Sequence, residues 1–558
     1  MMLIAALALF SAAAPLPRGA LQGERQLSAG DLRRSGTVRL DVTCKPEVRE
    51  DFQTALALLH SFFYDEARRR FLDVAARDPE CAMAWWGVAM SYYHPLWAPP
   101  TPQEMEQGIA AVEKAKTIGA RTDLERGFIE AIDAYYRTFD KPAASGPIEQ
   151  SCHGPRAHGA RALAYLEVME PLRKEHPDNL ELKVFHTLAL LGTAPASDKT
   201  YANQELAMGI LGPLFEEHPD HPGIAHYIIH AMDYPSLASR GLAAARRYSD
   251  VAPWVPHALH MPSHIYTRLG MWEDSIEANR ASSAAARDYA AKSLGGATYF
   301  EDLHALDYLV FAYLQTGQDA KAGEIVEHVR AIREFHEDGA FAAAYAVGAI
   351  PARYALERCS WKEAASLPLL HSGLVENFPF ALAHTEFARA LGAARSGDVA
   401  AARKAVDRLA VLKEGLKEPK WQWWIDQVEI QRLAAAGWLA RAEGNDGEAE
   451  RLLESGAELE DRAGTHPVTP GQILPAREQL GDLLMELQRP EEALVQYERS
   501  LEAFPNRLNG HFGAGRAAEL SGKAALARSH YEHVVGMTKE GDGSRGELKL
   551  AKEYLSSD

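Results

Sequence analysis

Cysteine is scarce in this chain: four residues in 558, Cys44, Cys81, Cys152 and Cys359, with no C-x-x-C pair among them. A zinc ribbon is thereby excluded. Basic charge is also in short supply. Lys and Arg total 59 against 77 Asp and Glu, a formal net charge of -18, which argues against a nucleic-acid groove because phosphate binding depends on clustered cations. The acidic excess is interspersed with basic residues, as on the solvated outer faces of helices. After the first fifteen residues no apolar run is long enough to span a bilayer. There is no G-x-S-x-G elbow, Walker loop or dinucleotide fingerprint, so covalent serine chemistry and nucleotide use lack support.

Hydrophobic residues make up 47% of the chain and charged residues 24%, ordinary values for a folded protein. The length exceeds what one compact core accommodates and requires several domains or an extended repeat array. Met1 to Ala14, MMLIAALALFSAAA, is apolar and closes on small residues like a secretory signal. Residues 1–22 are accordingly expected to be a signal peptide and leader, with periplasmic or secreted localisation. The Lys or Arg that normally precedes such a segment is missing, which leaves a buried first helix or a misassigned start as other readings.

Proline-bounded helical hairpins recur with a period near 34 residues. From Leu480 the chain reads LGDLLMELQRPEEALVQYERSLEAFP: Leu480, Gly481 and Leu484 line one helix, and Ala493, Tyr497 and Pro505 mark the next. The following unit repeats the scheme with Ala514, Gly515, Ala527 and Tyr531, and near the start Ala67, Phe71 and Pro79 stand in the same relation. Small residues let two helices approach, the aromatic fills the gap, and proline ends the second helix. Further units are readable around Ala82 to Ala115, Pro222 to Pro253, Pro256 to Tyr289, Leu303 to Arg333 and Leu382 to Leu412. Cys44 and Cys81, one repeat apart, would pair in an oxidising compartment; buried free thiols are the other reading, and Cys359 is expected to stay unpaired.

This spacing resembles the tetratricopeptide repeat family. The resemblance implies an all-α solenoid of about eight to ten helical hairpins. The expected organisation is N-terminal repeats over 40–135, a loop or insertion over 136–160, central repeats over 161–335, further repeats over 336–465, a proline-rich connection (HPVTPGQILP) over 466–475 and C-terminal repeats over 476–558. The stretches HYxIHxxD and HALHMPSHIYTRLG, the HPVTPG connection and the PNR at Pro505 to Arg507 resemble an exported bacterial subfamily of such proteins, a likeness that conveys no assigned reaction.

Histidine is the residue in excess. Between Gly223 and Tyr308 lie His226, His230 and Asp233, then His257, His260 and His264, then Glu301, His304 and Asp307. Spacings of three, four or seven residues place each set on one face of its helix. With Pro222, Pro256 and Leu303 as repeat starts, and Gly270 matched to Gly317 at the inter-helix turn, all three sets fall on the first helix of a hairpin. In the family that helix lines the concave groove. Imidazoles at i and i+4, joined from neighbouring helices, suit a transition metal such as Zn, Cu or Fe. His226, His230, His257, His260, His264 and His304 are therefore the candidate ligands, enough for a dinuclear site or for one ion with outer histidines. Residue 227 is Tyr where the HExxH motif needs Glu, which excludes the zinc-protease reading.

Three functions are compatible with these residues. The first is an exported scaffold with a metal-binding groove for a protein or ligand. The second is a hydrolytic or oxidative metalloenzyme with Glu301, Asp233 or Asp307 as acid or base. The third is a metal-free module that binds a peptide in the groove. Pro262 is expected either to kink the helix between His260 and His264 or to mark a later helix start. His60 and His94 occupy matching places and are read mainly as core. The pairs Trp85-Trp86 and Trp423-Trp424 are read as core as well. Glu460, Asp461, His466, Thr469, Arg477 and Glu478 either approach the groove or stabilise a turn.

Overall fold

The computed structural model describes residues 34–96, 99–138, 156–195, 198–337, 339–417, 421–464, 466 and 469–557. The leader at 1–22, Cys152, most of the 136–160 insertion, and Pro467 and Val468 of the connection lie outside these residues. The described residues are α-helical throughout their regular structure, apart from one short 3-10 turn at Pro46–Val48 and an isolated bridge between Thr298 and Phe335. No described helix is long and apolar enough to cross a membrane.

Successive helices pair as antiparallel hairpins: Arg49–His60 with Tyr64–Arg77, Pro222–Met232 with Ala238–Val251, Phe300–Gln315 with Asp319–Ala331, and Pro490–Ala503 between Ala476–Glu486 and Leu508–Leu520. The small-residue and aromatic code behaves as the repeat spacing predicts. A Cβ on Gly87 would lie 2.4 Å from the Phe71 ring, one on Gly481 2.8 Å and one on Gly513 2.4 Å from Tyr497, and one on Gly515 2.9 Å from Tyr531. At these glycines a ring from a second helix meets bare backbone, of the first helix of its own hairpin at Gly481 and Gly515 and of the next helix in the chain at Gly87 and Gly513. The hairpin turns at Gly270 and Gly317 are matched in conformation, with φ of +65° and +66°, values that favour glycine.

Local signals set the helix starts. Pro222 and Pro256 occupy the first turn of their helices, as the repeat frame requires. The third histidine-bearing helix begins at Phe300, three residues ahead of the Leu303 frame. Pro262 marks a helix start, the second of the two expected effects: the helix Pro256–His260 stops, a second helix Pro262–Arg268 starts with Pro262 in its first turn, and Met261 between them keeps helical dihedrals, φ -52° and ψ -37°. The missing proline N–H breaks the ladder without turning the chain away.

The array is tied across its length. The proline-rich connection accepts hydrogen bonds from two buried arginines of earlier repeats, Arg268 to the Pro470 carbonyl at 3.1 Å and Arg353 to the Gln472 carbonyl at 2.6 Å. The Trp272 indole donates to the Asn506 carbonyl at 2.7 Å, and Asn506 returns a bond to the Gly270 carbonyl. Arg507 is buried between Glu478 and Glu357, at 2.6 and 2.8 Å. The residues Glu460, Asp461, Arg477 and Glu478 thus have architectural partners: Glu460 accepts from the Ala476 backbone N–H, and Arg477 pairs with Asp461. Of the two tryptophan pairs expected to be core, Trp86 and Trp424 are buried, and Trp85 and Trp423 are partly buried against the core. Cys44 and Cys81 are joined in a disulfide and Cys359 is free.

Candidate metal centre

Three neighbouring first helices bring the six candidate histidines together. Pro222–Met232 carries His226 and His230, the interrupted helix from Pro256 to Arg268 carries His257, His260 and His264, and Phe300–Gln315 carries His304. They sort into two triads, His226, His230 and His257, and His260, His264 and His304, the ligand-capable atoms of each lying within 4.8 Å of one another. His257 and His260 leave the same helix yet belong to different triads. The triads are therefore neighbours, with ring centroids 6.4 Å apart from His257 to His260 and from His230 to His264.

Hydrogen bonds behind the rings fix the tautomers. His226 Nδ1 lies 2.7 Å from the His60 carbonyl, which can only accept, so Nδ1 donates and a neutral ring presents a bare Nε2. That Nε2 is 3.0 Å from His230 Nε2. His260 Nδ1 lies 2.6 Å from Asn279 Oδ1. The Asn279 amide is oriented by its own donation to the Ser275 carbonyl at 2.7 Å, so His260 must donate from Nδ1. His264 Nδ1 donates to Asp233 Oδ2 at 2.8 Å. The Nε2 atoms of His260 and His264 then face each other as two lone pairs only 3.0 Å apart. A proton or a cation between them would convert this repulsion to attraction. The proton is disfavoured at His260, whose imidazole is held well below its ordinary value by burial and by the nearby His304 and His264 rings.

The carboxylates stand outside the triads. Asp233 accepts from His264 and, at 2.9 Å, from Arg268 Nε. Burial pushes its carboxyl up, but Arg268 and His264 more than offset this and hold it below its ordinary value. Glu301 Oε1 lies 3.2 Å from His257 Nδ1. Asp307 is buried with Arg353 Nε 3.5 Å away, and burial pushes it up to about 6 against the pull of that guanidinium. Of the three acid or base candidates, Asp233 is thus engaged behind the His264 ring, where it fixes the tautomer, Glu301 lies beside His257, and Asp307 faces an arginine.

The expectation that these histidines line an open groove needs correction. His226 and His260 are 0% exposed, His264 and His304 2%, and His257 3%, leaving His230 as the partly exposed member. The first triad is covered from the first hairpin, and Tyr308 lies against all three rings of the second. Phe62 places its ring 4.4 Å from His226, 5.6 Å from His230 and 5.7 Å from His257 by centroids, and does so from a backbone φ of +53°, a strained conformation for a phenylalanine.

Two other groups of potential ligands have settled otherwise. Glu181 accepts from His60 Nε2 at 2.8 Å and from His221 Nε2 at 3.1 Å, while His221 Nδ1 accepts the Ile224 N–H and His60 Nδ1 meets the Tyr227 hydroxyl at 2.9 Å. Every nitrogen there has a complementary partner, so His60 is the buried core residue the sequence suggested, while its carbonyl orients His226. His94 lies tilted against the Tyr64 ring, with centroids 4.5 Å apart. The Cys44, Asp78 and Cys81 group is occupied by the disulfide.

Asn279, Arg268 and Phe62 escaped the sequence reading. A signal for Asn279 existed: Ser275, Asn279, Ser282 and Ser283 form a buried polar stripe at spacings of three and four on a second helix, Trp272–Ser293, whose inner face should be apolar.

A model of the tetratricopeptide repeat matches residues 52–94 and 479–541. A search of curated protein sequences found no match. Among solved structures, a tetratricopeptide repeat protein from Parabacteroides merdae is 15% identical, covering 54% of this chain and 97% of that one, with a TM-score of 0.29. A human IFIT1 dimer with m7Gppp-AAAA is 13% identical, covering 82% and 90%, with a TM-score of 0.38. Naa15/Naa10 bound to HypK-THB is 11% identical, covering 91% and 73%, with a TM-score of 0.20. The matched segments, the helical hairpins and their shared glycine-aromatic code show that the chain carries tetratricopeptide repeats.

Proposed function

We propose that this protein is an exported interaction scaffold whose central repeats hold transition-metal ions in the two histidine triads. Tetratricopeptide arrays are interaction scaffolds in general, and nothing in that role requires buried imidazoles. The observation that carries the metal reading is the pair of Nε2 lone pairs of His260 and His264 facing each other at 3.0 Å, each ring locked in that tautomer from behind. Such a contact is unfavourable in a neutral apo site and is the arrangement two ligands adopt around one ion. Export is supported by the apolar Met1–Ala14 segment and the Cys44–Cys81 disulfide.

The test is elemental mass spectrometry on full-length protein purified without a histidine tag, before and after chelation and reconstitution with Zn, Cu or Fe. The expected result is stoichiometric metal that His260→Ala with His264→Ala reduces while helicity persists. Failure of the wild-type protein to take up any of these ions would refute the metal reading and return the scaffold to a metal-free interaction module.

A further inference from the structure

Resting on the metal reading above, the geometry points to more than two separate sites: we propose that the triads form a single dicopper centre, its two ions within about 9 Å of each other and exchanged with solvent past His230.

The ring positions carry the pairing. Centroid separations are 4.7, 5.1 and 6.4 Å in the His226, His230 and His257 triad. They are 4.9, 4.2 and 6.1 Å in the His260, His264 and His304 triad. In each triangle the point equidistant from the three centroids lies about 3 Å from every ring, which is where an ion bonded at about 2.0–2.1 Å to a ring nitrogen sits. Both triads therefore centre on a point at bonding range, without rearrangement of the helices. The two cross-triad separations of 6.4 Å, His257 to His260 and His230 to His264, then bound the distance between those points.

The donor set points to copper. Both triads consist of imidazoles alone, and the nearby carboxylates are committed elsewhere, Asp233 to His264 Nδ1 and Arg268, and Glu301 beside His257 Nδ1. Imidazole suits Cu, Zn, Fe and Ni, and among divalent first-row ions affinity at such donors peaks at Cu(II). Hard ions that demand oxygen ligands find none in either triad. His230 is the partly exposed ligand while its five companions are at most 3% exposed. Ions would therefore enter and leave at the His230 edge, beside Phe62.

The experiment is electron paramagnetic resonance on full-length protein loaded with Cu(II), with copper counted by elemental analysis, and repeated on protein loaded from a Cu and Zn mixture containing a large excess of Zn. Two Cu per chain are expected, with a signal broadened or abolished by the second ion and a sharp isolated Cu(II) spectrum after dilution with Zn. Two Cu per chain with identical spectra before and after dilution would overturn the pairing and leave the metal reading standing. One Cu per chain would do the same. Uptake of Zn without any Cu would overturn the copper assignment, and uptake of no ion at all would remove both readings. No substitution is needed, so misfolding cannot mask the result.

Discussion

Replacing Asp233 by Asn changes one atom of a buried carboxylate and should disable His264 as a ligand. The wild-type carboxylate accepts from His264 Nδ1 at 2.8 Å and from Arg268 Nε at 2.9 Å, and Arg268 is itself fixed on the Pro470 carbonyl. In the Asp233→Asn protein the amide oxygen must stay with the arginine, because the amide nitrogen would oppose its N–H. The amide nitrogen then faces His264 Nδ1, which has to accept, and the ring proton moves to Nε2. That proton occupies the position a metal would take and donates to His260 Nε2, 3.0 Å away. Loss of a partner behind a ligating histidine lowers metal affinity by roughly 10–100-fold, equivalent to about 1.4–2.7 kcal/mol. Arg268 also loses its buried counter-charge, which should destabilise the fold by about 3 kcal/mol or more. Affinity is read by competition against a chromophoric chelator, stability by denaturant titration of the metal-free protein, and the tautomer by the nitrogen chemical shifts of the imidazole. Unchanged metal affinity in a folded Asp233→Asn protein would refute the reasoning.

Three further outcomes follow from other parts of the molecule. Gly392→Ala would place a Cβ 2.2 Å from the Ala365 nitrogen and 2.5 Å from the Trp361 carbonyl, an overpacking expected to lower stability by about 1–3 kcal/mol in thermal melts; an unaltered melting temperature would show that the Trp361–Ala365 helix can simply slide away. Removing the disulfide with Cys44→Ala and Cys81→Ala releases a loop of 37 residues and should destabilise the oxidised protein by about 4 kcal/mol on a chain-entropy basis, a difference that should vanish when both proteins are compared under strong reductant. Burial pushes the Glu460 carboxyl up to about 8, so the folded state holds a proton that the unfolded state releases near its ordinary value. Its stabilising contribution is complete below that ordinary value and lost as pH rises through about 8, so Glu460→Gln should flatten the fall in stability over that window, by as much as several kcal/mol. An identical pH profile for both proteins would contradict the assignment.

The sequence carried the repeats because the repeat code is local. Gly481 and Tyr497, or Gly515 and Tyr531, sit within one hairpin, and their spacing alone states that a ring covers bare backbone. The histidine-bearing helices were legible for the same reason, since i and i+4 spacing fixes a face. What spacing could not reveal is the depth of that face. Part of its cover comes from Phe62, more than 160 positions before the first triad that it lies against. The sorting into triads was hidden as well, because His257 and His260 leave one short helix, Pro256–His260, yet reach different sets. The contacts of Asp233 and Glu301 were not legible, because sequence shows that a carboxylate is near a histidine but not which ring nitrogen it meets.

A solenoid is usually a spring, since each repeat leans only on its neighbours and the whole can stretch or twist cheaply. Arg268 removes that compliance here. With one side on Asp233 and the other on the Pro470 carbonyl, it braces the histidine-bearing turn against the start of the C-terminal block like a strut across an arch. A load applied to the far repeats, such as a partner docking there and rotating them, would be delivered through Pro470, Arg268 and Asp233 to the hydrogen bond that orients the His264 ring.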